Sequence, residues 1–528
     1  MIGGLVHLWR NVHAGFVLAR EGALALVSPA ALPPGPRLAI RAARLLERPN
    51  AGTGAARLRA ALTRLGPSYV KIGQFLATRP DIVGIGAARD LESLQDRMPA
   101  FDEAEAVRVV EAALGRPIAE LFTSFGPPVA AASIAQVHRA TLVRDGVERA
   151  FAVKIVRPGI RDRFAQDLGA MRHAARLAER TLPAAGRLRP TEVVETLARS
   201  VALEMDLRLE AAALSELAEN TAADLDFRVP RPEWELTARD VLTSEWIDAI
   251  PLHRLDAIDA VGHDRAALAR TVLQSFLRHA IRDGFFHADM HPGNLMVDPE
   301  GRLVAVDTGI MGRLGLKERR FLAEILLGFI RRDYMRVAAV HFEAGYVPAH
   351  HSVEDFAQAI RAIGEPIHNR RADEISMARL LTLLFEITAI FEMTTRTELV
   401  MLQKTMVVVE GVARKLDPRL DIWAASEPVV RDWIERNLGP VGQAREAGRG
   451  LLTLARVIGD LPEMAQRTER LLAKLERSVD QGLPLQSDTV FGTGRHPTRT
   501  LRWIALGLWA LVLLGLLAGV TSVPVTSP

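Results

Sequence analysis

Apolar residues recur at three- and four-residue spacing through 38–125, as at Leu58, Leu62 and Leu65 and again at Leu91 and Leu94, which predicts helices there. The character changes over 128–156. Ile134 to Val143 and Ala150 to Val156 read as two strands, with Arg144-Asp145-Gly146 as the turn between them. Residues 162–222 return to a helical pattern rich in Ala, Leu, Arg and Glu. The run VLTSEWI at 241–247 is short and β-like, and 295–306 reads as a second hairpin turned at Pro299-Glu300-Gly301. From 315 to about 478 the pattern is almost wholly helical. No internal repeat recurs at periods of 20–50 residues.

The sharpest break lies near the C-terminus. Trp503 to Val520 is uncharged, and its 18 residues span about 27 Å as a helix, just enough for a bilayer core. Its seven Leu, one Ile and two Val favour insertion by roughly 5 kcal/mol before the glycines subtract. A soluble core helix rarely runs this long without a polar face. Arg495, Arg499 and Arg502 precede the stretch and no charge follows it, which places residues 1–502 on the cytoplasmic side. Gly515 and Gly519 form a GxxxG pair that suits a homodimer contact within the membrane. At the other end, Arg10, Arg20 and Glu21 interrupt any signal-peptide core. That N-terminal segment reads either as an amphipathic helix on a membrane surface or as a helix packed on the protein body. Residues 28–37 (SPAALPPGPR) read as a linker after it.

Composition narrows the classes. The chain has 528 residues, 49% of them apolar, so it can build a sizeable core. It has no cysteine, which removes disulfides, thiolate nucleophiles, Cys-ligated zinc and iron–sulfur clusters. The 66 Lys and Arg against 63 Asp and Glu leave a formal charge of +3, and aromatics are 5%. Neither a concentrated basic field nor a stacking platform for nucleic acid is expected from these numbers.

Three segments in fixed order carry chemistry. In AVKIV at 152–156, alternation puts Ala152, Lys154 and Val156 on one face of a strand. An amine placed mid-strand among apolar neighbours needs an anionic partner, either a phosphate or a carboxylate. In HADMHPGN at 287–294, Asp289 and Asn294 are five apart, the spacing of a kinase catalytic loop. Asp307-Thr308-Gly309 follows the apolar strand LVAV, and a carboxylate at a strand end before a flexible Gly suits a magnesium ligand. His287 and His291 sit four apart, but Pro292 and Gly293 make the segment a loop, so His287 reads as a structural loop residue. Gly52-Thr53-Gly54 and Gly84-Ile85-Gly86 begin dinucleotide-like patterns, yet both end in Arg and neither follows a convincing strand.

Taken together these segments resemble the UbiB family of atypical kinases, the group linked to ubiquinone biosynthesis. The resemblance is close over 60–315. Lys71-Ile72-Gly73-Gln74 resembles the family's KxGQ signature. Ala130-Ala131-Ala132-Ser133 resembles the alanine-rich loop that replaces the glycine-rich nucleotide loop of ordinary kinases, and Glu204-Met205-Asp206 resembles its ExD motif. The resemblance implies an α+β, protein-kinase-like two-lobed fold that uses ATP and Mg2+. Lys154 would contact the phosphates and pair with Glu210. Glu204 and Asp206 would hold Lys71, beside Gln74. Being six residues apart, Glu204 and Glu210 lie about 240° apart on one helix and cannot both face one amine. Asp289 would be the catalytic carboxylate, Asn294 and Asp307 the metal ligands, and the backbone near Glu245 and Trp246 the hinge beside adenine.

Two departures stand out: DTG replaces the commoner DFG, and Ala135 follows Ile134 where Gly is frequent. The implied organisation is an N-terminal helix and linker (1–37), a helical KxGQ segment (38–125), an N-lobe (126–247), a C-lobe with helical extension (248–478), a linker (479–500) and a transmembrane helix (501–521). The implied function is a Mg-dependent ATPase or kinase at a bacterial inner membrane, serving ubiquinone biosynthesis. Its partners would be ATP, membrane lipids, ubiquinone precursors and other enzymes of that pathway. A KxGQ cover over the cleft favours hydrolysis or a small acceptor over a protein substrate.

Two other readings stay open. One is a non-catalytic nucleotide-binding scaffold for the biosynthetic enzymes. The other is a quinone-ring monooxygenase, against which stand the lack of a dinucleotide fingerprint, of a thiolate and of a persuasive His/carboxylate iron site. The absorbance spectrum of the purified protein is expected to lack flavin and haem bands, and either band would restore the monooxygenase.

Overall fold

A computed structural model of the chain describes residues 2–23, 41–48, 54–77, 98–181, 189–367 and 397–439, together with Leu91, Ile387 and 390–393. The expected membrane span at 501–521, its GxxxG pair and the linker before it lie outside the described residues. So do residues 28–37 and both dinucleotide-like glycine patterns except Gly54. Among the described residues, no helix is long and apolar enough to cross a membrane.

Helices α1 (Ile2–Arg20), α2 (Gly54–Leu65) and α3 (Pro67–Ala77) open the chain, followed by α4 (Glu103–Leu114). Asp102 caps α4, accepting from the Ala104 backbone N–H, and Gly115 closes it at φ 71°. Next come β1 (Ser124–Ala131), β2 (Ala135–Arg144) and β3 (Val147–Val156), then α5 (Ile160–Thr181), α6 (Pro190–Glu204) and α7 (Leu207–Asn220). After β4 (Phe227–Arg228), β5 (Val241–Glu245) and β6 (Ile250–Pro251), helix α8 (Arg265–Leu277) leads through a π-helical turn into β7 (Phe285–His287). Strands β8 (Leu295–Val297), β9 (Leu303–Ala305) and β10 (Met311–Arg313) complete the site region. Helices α9 (Leu316–Arg331), α10 (Tyr334–Glu343), α11 (Val353–Gly364), α12 (Thr397–Leu416) and α13 (Ile422–Leu438) follow.

Among the described residues, three sheets result. The first is antiparallel in the order β1-β2-β3-β5, with Val137, Lys154 and Leu242 in register across it. The β2–β3 turn has Asp145 at φ 54° and Gly146 at φ 75°, the left-handed pair that a two-residue hairpin needs. The second sheet, β4-β9-β8-β6, carries the 295–306 hairpin, with Gly301 at φ 82° in its turn. The third pairs β10 with β7. Pattern reading missed β1, because Gly126, Pro127 and Pro128 argue against a strand. The prolines are tolerated on a sheet edge, where the register slips on either side of Pro128.

On the face of the first sheet where Phe151 is buried, Val153 and Ile155 pack against Ala106 and Val110 of α4 and against Leu121 and Phe122. Alternation therefore turns Lys154 the other way, into the cleft. The largest core runs from α1 and α5 through α7 and α8 to α12 and α13, and a satellite core gathers Tyr334, Phe356 and Phe391. Helix α1 is seated on α5. Arg10 pairs with Asp167, and Asn11 Nδ2 donates to the Ala170 carbonyl at 3.2 Å.

Strands β7 and β10 press together where Gly312 faces Phe286. A Cβ built on Gly312 would lie 2.2 Å from the fully buried Phe286 ring. Gly312→Ala is expected to destabilise by about 1–3 kcal/mol through overpacking. An unchanged urea midpoint would show that this approach imposes no constraint.

Candidate active site

Lys154 Nζ donates to both carboxylate oxygens of Glu210, at 2.7 and 2.9 Å, and to Asp307 Oδ2 at 3.0 Å. Glu210 is 8% exposed, on the first turn of α7. Burial opposes the lysine's charge, but the Asp307 and Glu210 carboxylates outweigh it, and its pKa rises above the ordinary lysine value. Burial lifts the Glu210 carboxyl above its usual range, with Lys154 pulling the other way. Asp307 is also raised by burial, but Lys154 and the Gly309 N–H overcome this and hold its carboxyl well below the usual range. The same ammonium pulls both carboxyls down; it prevails at Asp307, while burial prevails at Glu210.

Across the cleft, β7 ends at His287 and the chain turns through 288–294. Asn294 Nδ2 donates to the Asp289 carbonyl at 3.1 Å and to Asp289 Oδ2 at 3.3 Å. Because the amide nitrogen donates, Asn294 Oδ1 is the atom left to meet a cation. His287 is 2% exposed, and burial lowers its pKa. Its Nδ1 accepts the Asp289 backbone N–H at 3.0 Å, the shaping of a loop expected of a structural histidine. Val306 N–H donates to the Asn294 carbonyl at 3.1 Å, joining the loop to the strand that delivers Asp307. Behind the loop, Thr405 of α12 donates its hydroxyl to the Ala288 carbonyl at 2.9 Å.

The structure brings Lys154, Glu210 and Asp307 together and joins Asp289 to Asn294. Lys71 on α3 meets Glu204 at 2.5 Å, while Gln74, partly buried on the same helix, makes no part of that pair.

Two expectations need correction, and a third is narrowed. Asp206 does not hold Lys71: it caps α7 and binds Arg208 through its backbone N–H at 3.2 Å and guanidinium at 2.7 and 2.9 Å. Glu204 and Glu210 are separated by a helix break at Met205 and Asp206, not by 240° of one helix. The N–H groups at the expected hinge are committed within the fold: Glu245 donates to the Arg231 carbonyl at 2.9 Å and Trp246 to the Ala150 carbonyl at 3.0 Å. Their side chains are occupied as well. Glu245 pairs with Arg228, and the Trp246 indole donates to Asp248 at 2.8 Å.

The alanine segment straddles a boundary. Ala130 and Ala131 end β1, whereas Ala132 and the buried Ser133 form the turn into β2. Two residues that sequence reasoning missed brace this region. Arg157 donates to the carbonyls of Ala132 at 2.9 Å and Pro99 at 2.8 Å, clamping the alanine turn to the segment before α4. Thr308 is 2% exposed and donates to the Glu210 carbonyl at 3.3 Å, a tie available to DTG that a Phe lacks. Elsewhere, His350, His351 and Glu392 bring ligand atoms within 4.8 Å of one another, a grouping invisible in sequence spacing. His350 and Glu392 are 62% and 68% exposed, the ordinary state of a surface ion pair.

Lys154→Met is expected to destabilise the protein by about 3–5 kcal/mol, because Glu210 is left buried without its cation. Adding Glu210→Leu should recover most of that loss in urea unfolding. Equal stability of Lys154→Met and the parent would refute the buried pair.

A family model described as ABC1 atypical kinase-like domain matches residues 93–341, and one described as UbiB helical domain matches residues 360–421. A relative from Xanthomonas axonopodis pv. citri (strain 306), "Probable protein kinase UbiB", is 42% identical over 418 residues, covering 78% of this chain and 75% of that protein. A relative of the same name from Marinobacter nauticus is 39% identical over 427 residues, covering 80% and 77%. Among solved structures, the Rv3197–erythromycin complex from Mycobacterium tuberculosis is 26% identical with a TM-score of 0.48, covering 70% of this chain and 93% of that one. The two family matches bear out the expected kinase-like fold of mixed helix and sheet, with a helical C-terminal region. The chain belongs to the UbiB family of ABC1 atypical kinase-like proteins.

Proposed function

We propose that this protein binds ATP with Mg2+ in the cleft between Lys154 and Asp289 and hydrolyses it, or transfers its phosphoryl group to a small acceptor, in support of ubiquinone biosynthesis. The observation that carries this reading is the Lys154–Glu210–Asp307 cluster facing a loop whose Asp289 and Asn294 are hydrogen-bonded to each other. A lysine already bonded to an anionic oxygen is suited to a phosphate oxygen, and Glu210 holds it in place. Asp289 would orient or deprotonate the attacking hydroxyl or water. The oxygen donors Asn294 Oδ1 and Asp307 are hard ligands and fit Mg2+. When bound, that ion would neutralise charge on the transferring phosphoryl group. Adenine would meet the backbone beyond Trp246, since the N–H groups of Glu245 and Trp246 are already used.

The clamped alanine turn supports a cleft that opens and closes less freely than a glycine-rich one. The Lys71–Glu204 pair ties the KxGQ helix to α6, in keeping with a cover that disfavours a protein substrate. Residues 501–521 are proposed as the membrane anchor, with the catalytic part on the cytoplasmic side of a bacterial inner membrane. Lipid-soluble quinone precursors are then natural ligands near the cleft. The scaffold reading uses the same nucleotide contacts without turnover, so it parts from the enzyme only at Asp289.

Asp307→Asn is expected to abolish Mg2+-dependent ATP hydrolysis by the purified chain, measured with and without membranes or a phenolic lipid mimic. Parental activity in that variant would refute the site. Asp289→Asn should remove turnover while leaving nucleotide binding intact, and full pathway output in that variant would favour the scaffold.

A further inference from the structure

Helix α1 is docked by one face and bare on the other. Ala14, Val17 and Leu18 are buried, whereas Val6, Trp9, Val12 and Phe16 are 42%, 66%, 37% and 40% exposed. At 100° per residue the four exposed side chains occupy an arc of about 120° along one side of the helix. The polar groups on that arc suit an interface. His13 stacks on Trp9 with ring centroids 5.5 Å apart, and the Arg20 guanidinium lies 5.7 Å from the Phe16 ring. Arg48 and Arg64, 46% and 49% exposed, flank the C-terminal end of the helix, where both reach Glu21.

Charge points the same way. Residues 1–77 hold ten Lys and Arg against two acids, a net +8, while residues 78–528 hold 56 against 61. The near-neutral whole therefore hides a basic N-terminal seventh. A bare aromatic stripe costs free energy in water, and a basic rim around it lowers that cost only against an anionic, partly apolar phase.

We infer that α1 lies flat in the headgroup region of an anionic phospholipid bilayer, with Trp9, Val12 and Phe16 entering the acyl boundary and Arg20, Arg48 and Arg64 meeting lipid phosphates. The inference rests on the membrane association proposed above and specifies the face that meets the lipid. Because α1 packs on α5 and α2, such contact fixes the orientation of the body to the bilayer, which a span joined through a polar tether cannot do alone.

The chain has no cysteine, so a single introduced thiol reports cleanly. The full-length protein carrying Val12→Cys or Phe16→Cys is labelled with NBD and reconstituted into vesicles containing phosphatidylglycerol or phosphatidylcholine alone. Leu225→Cys, at a position 91% exposed, is the reference. The labels at 12 and 16 should shift to the blue and be quenched severalfold by shallow doxyl lipids in anionic vesicles. The effect should be weaker in phosphatidylcholine, reversed by Trp9→Glu and absent at 225. Labels at 12 and 16 that stay as wet as the one at 225, while the protein still floats with vesicles, overturn this inference and leave the anchor standing. Failure to float overturns both. A blue shift before any lipid is added means that the chain itself or a second copy covers the stripe, and also overturns it.

Discussion

One ammonium group organises the centre of this protein. Lys154 Nζ joins its own strand to a helix residue 56 positions away and to a turn 153 positions away. Each partner would be unstable there alone: a buried amine lacks water, and two neighbouring carboxylates repel. The sheet, helix α7 and the DTG turn therefore assemble around a shared electrostatic requirement, which apolar packing then encloses. That packing is what makes the charge cluster specific. It aims Lys154 at the cleft by burying Phe151, Val153 and Ile155 behind it.

The opposite wall is built by hydrogen bonds. His287 fixes the turn into Asp289, Asn294 fixes the turn out, and Val306 ties that exit to the strand before Asp307. Thr405 extends the support into α12, within the region matched as the UbiB helical domain. The helical extension is thus structural backing for the loop that carries Asp289 and Asn294. Helices α8, α12 and α13 share one core with it, and Gln274 donates to the Ala425 carbonyl at 2.9 Å.

Much of this was legible in the sequence, for identifiable reasons. Asp145-Gly146 and the Pro299–Gly301 turn announce their hairpins through local backbone chemistry. A mid-strand lysine announces its need for an anion, but Glu210 as that partner comes from the family resemblance, and Asp307 reads as a metal ligand rather than as a partner of Lys154. What was missed depends on contacts between distant segments or on overridden propensities. The prolines of β1 hid an edge strand. The expectation that Asp206 partners Lys71 rests on the ExD resemblance alone, although an Asp beginning a new apolar run is also a capping signal. Arg157 and Thr308 bond backbone carbonyls 25 and 98 residues away, which no residue pattern encodes.

The Thr308 hydroxyl has a mechanical consequence. In a site where the helix glutamate and the DTG turn are independent, each can swing away alone, and four combinations of in and out exist. Here Thr308 holds the backbone of the very residue whose side chain reaches Lys154, while Asp307 beside it reaches the same lysine. Helix and turn are closed into one ring of contacts, so displacing either strains the other. Moving the helix or the turn alone therefore breaks contacts on both sides of that ring.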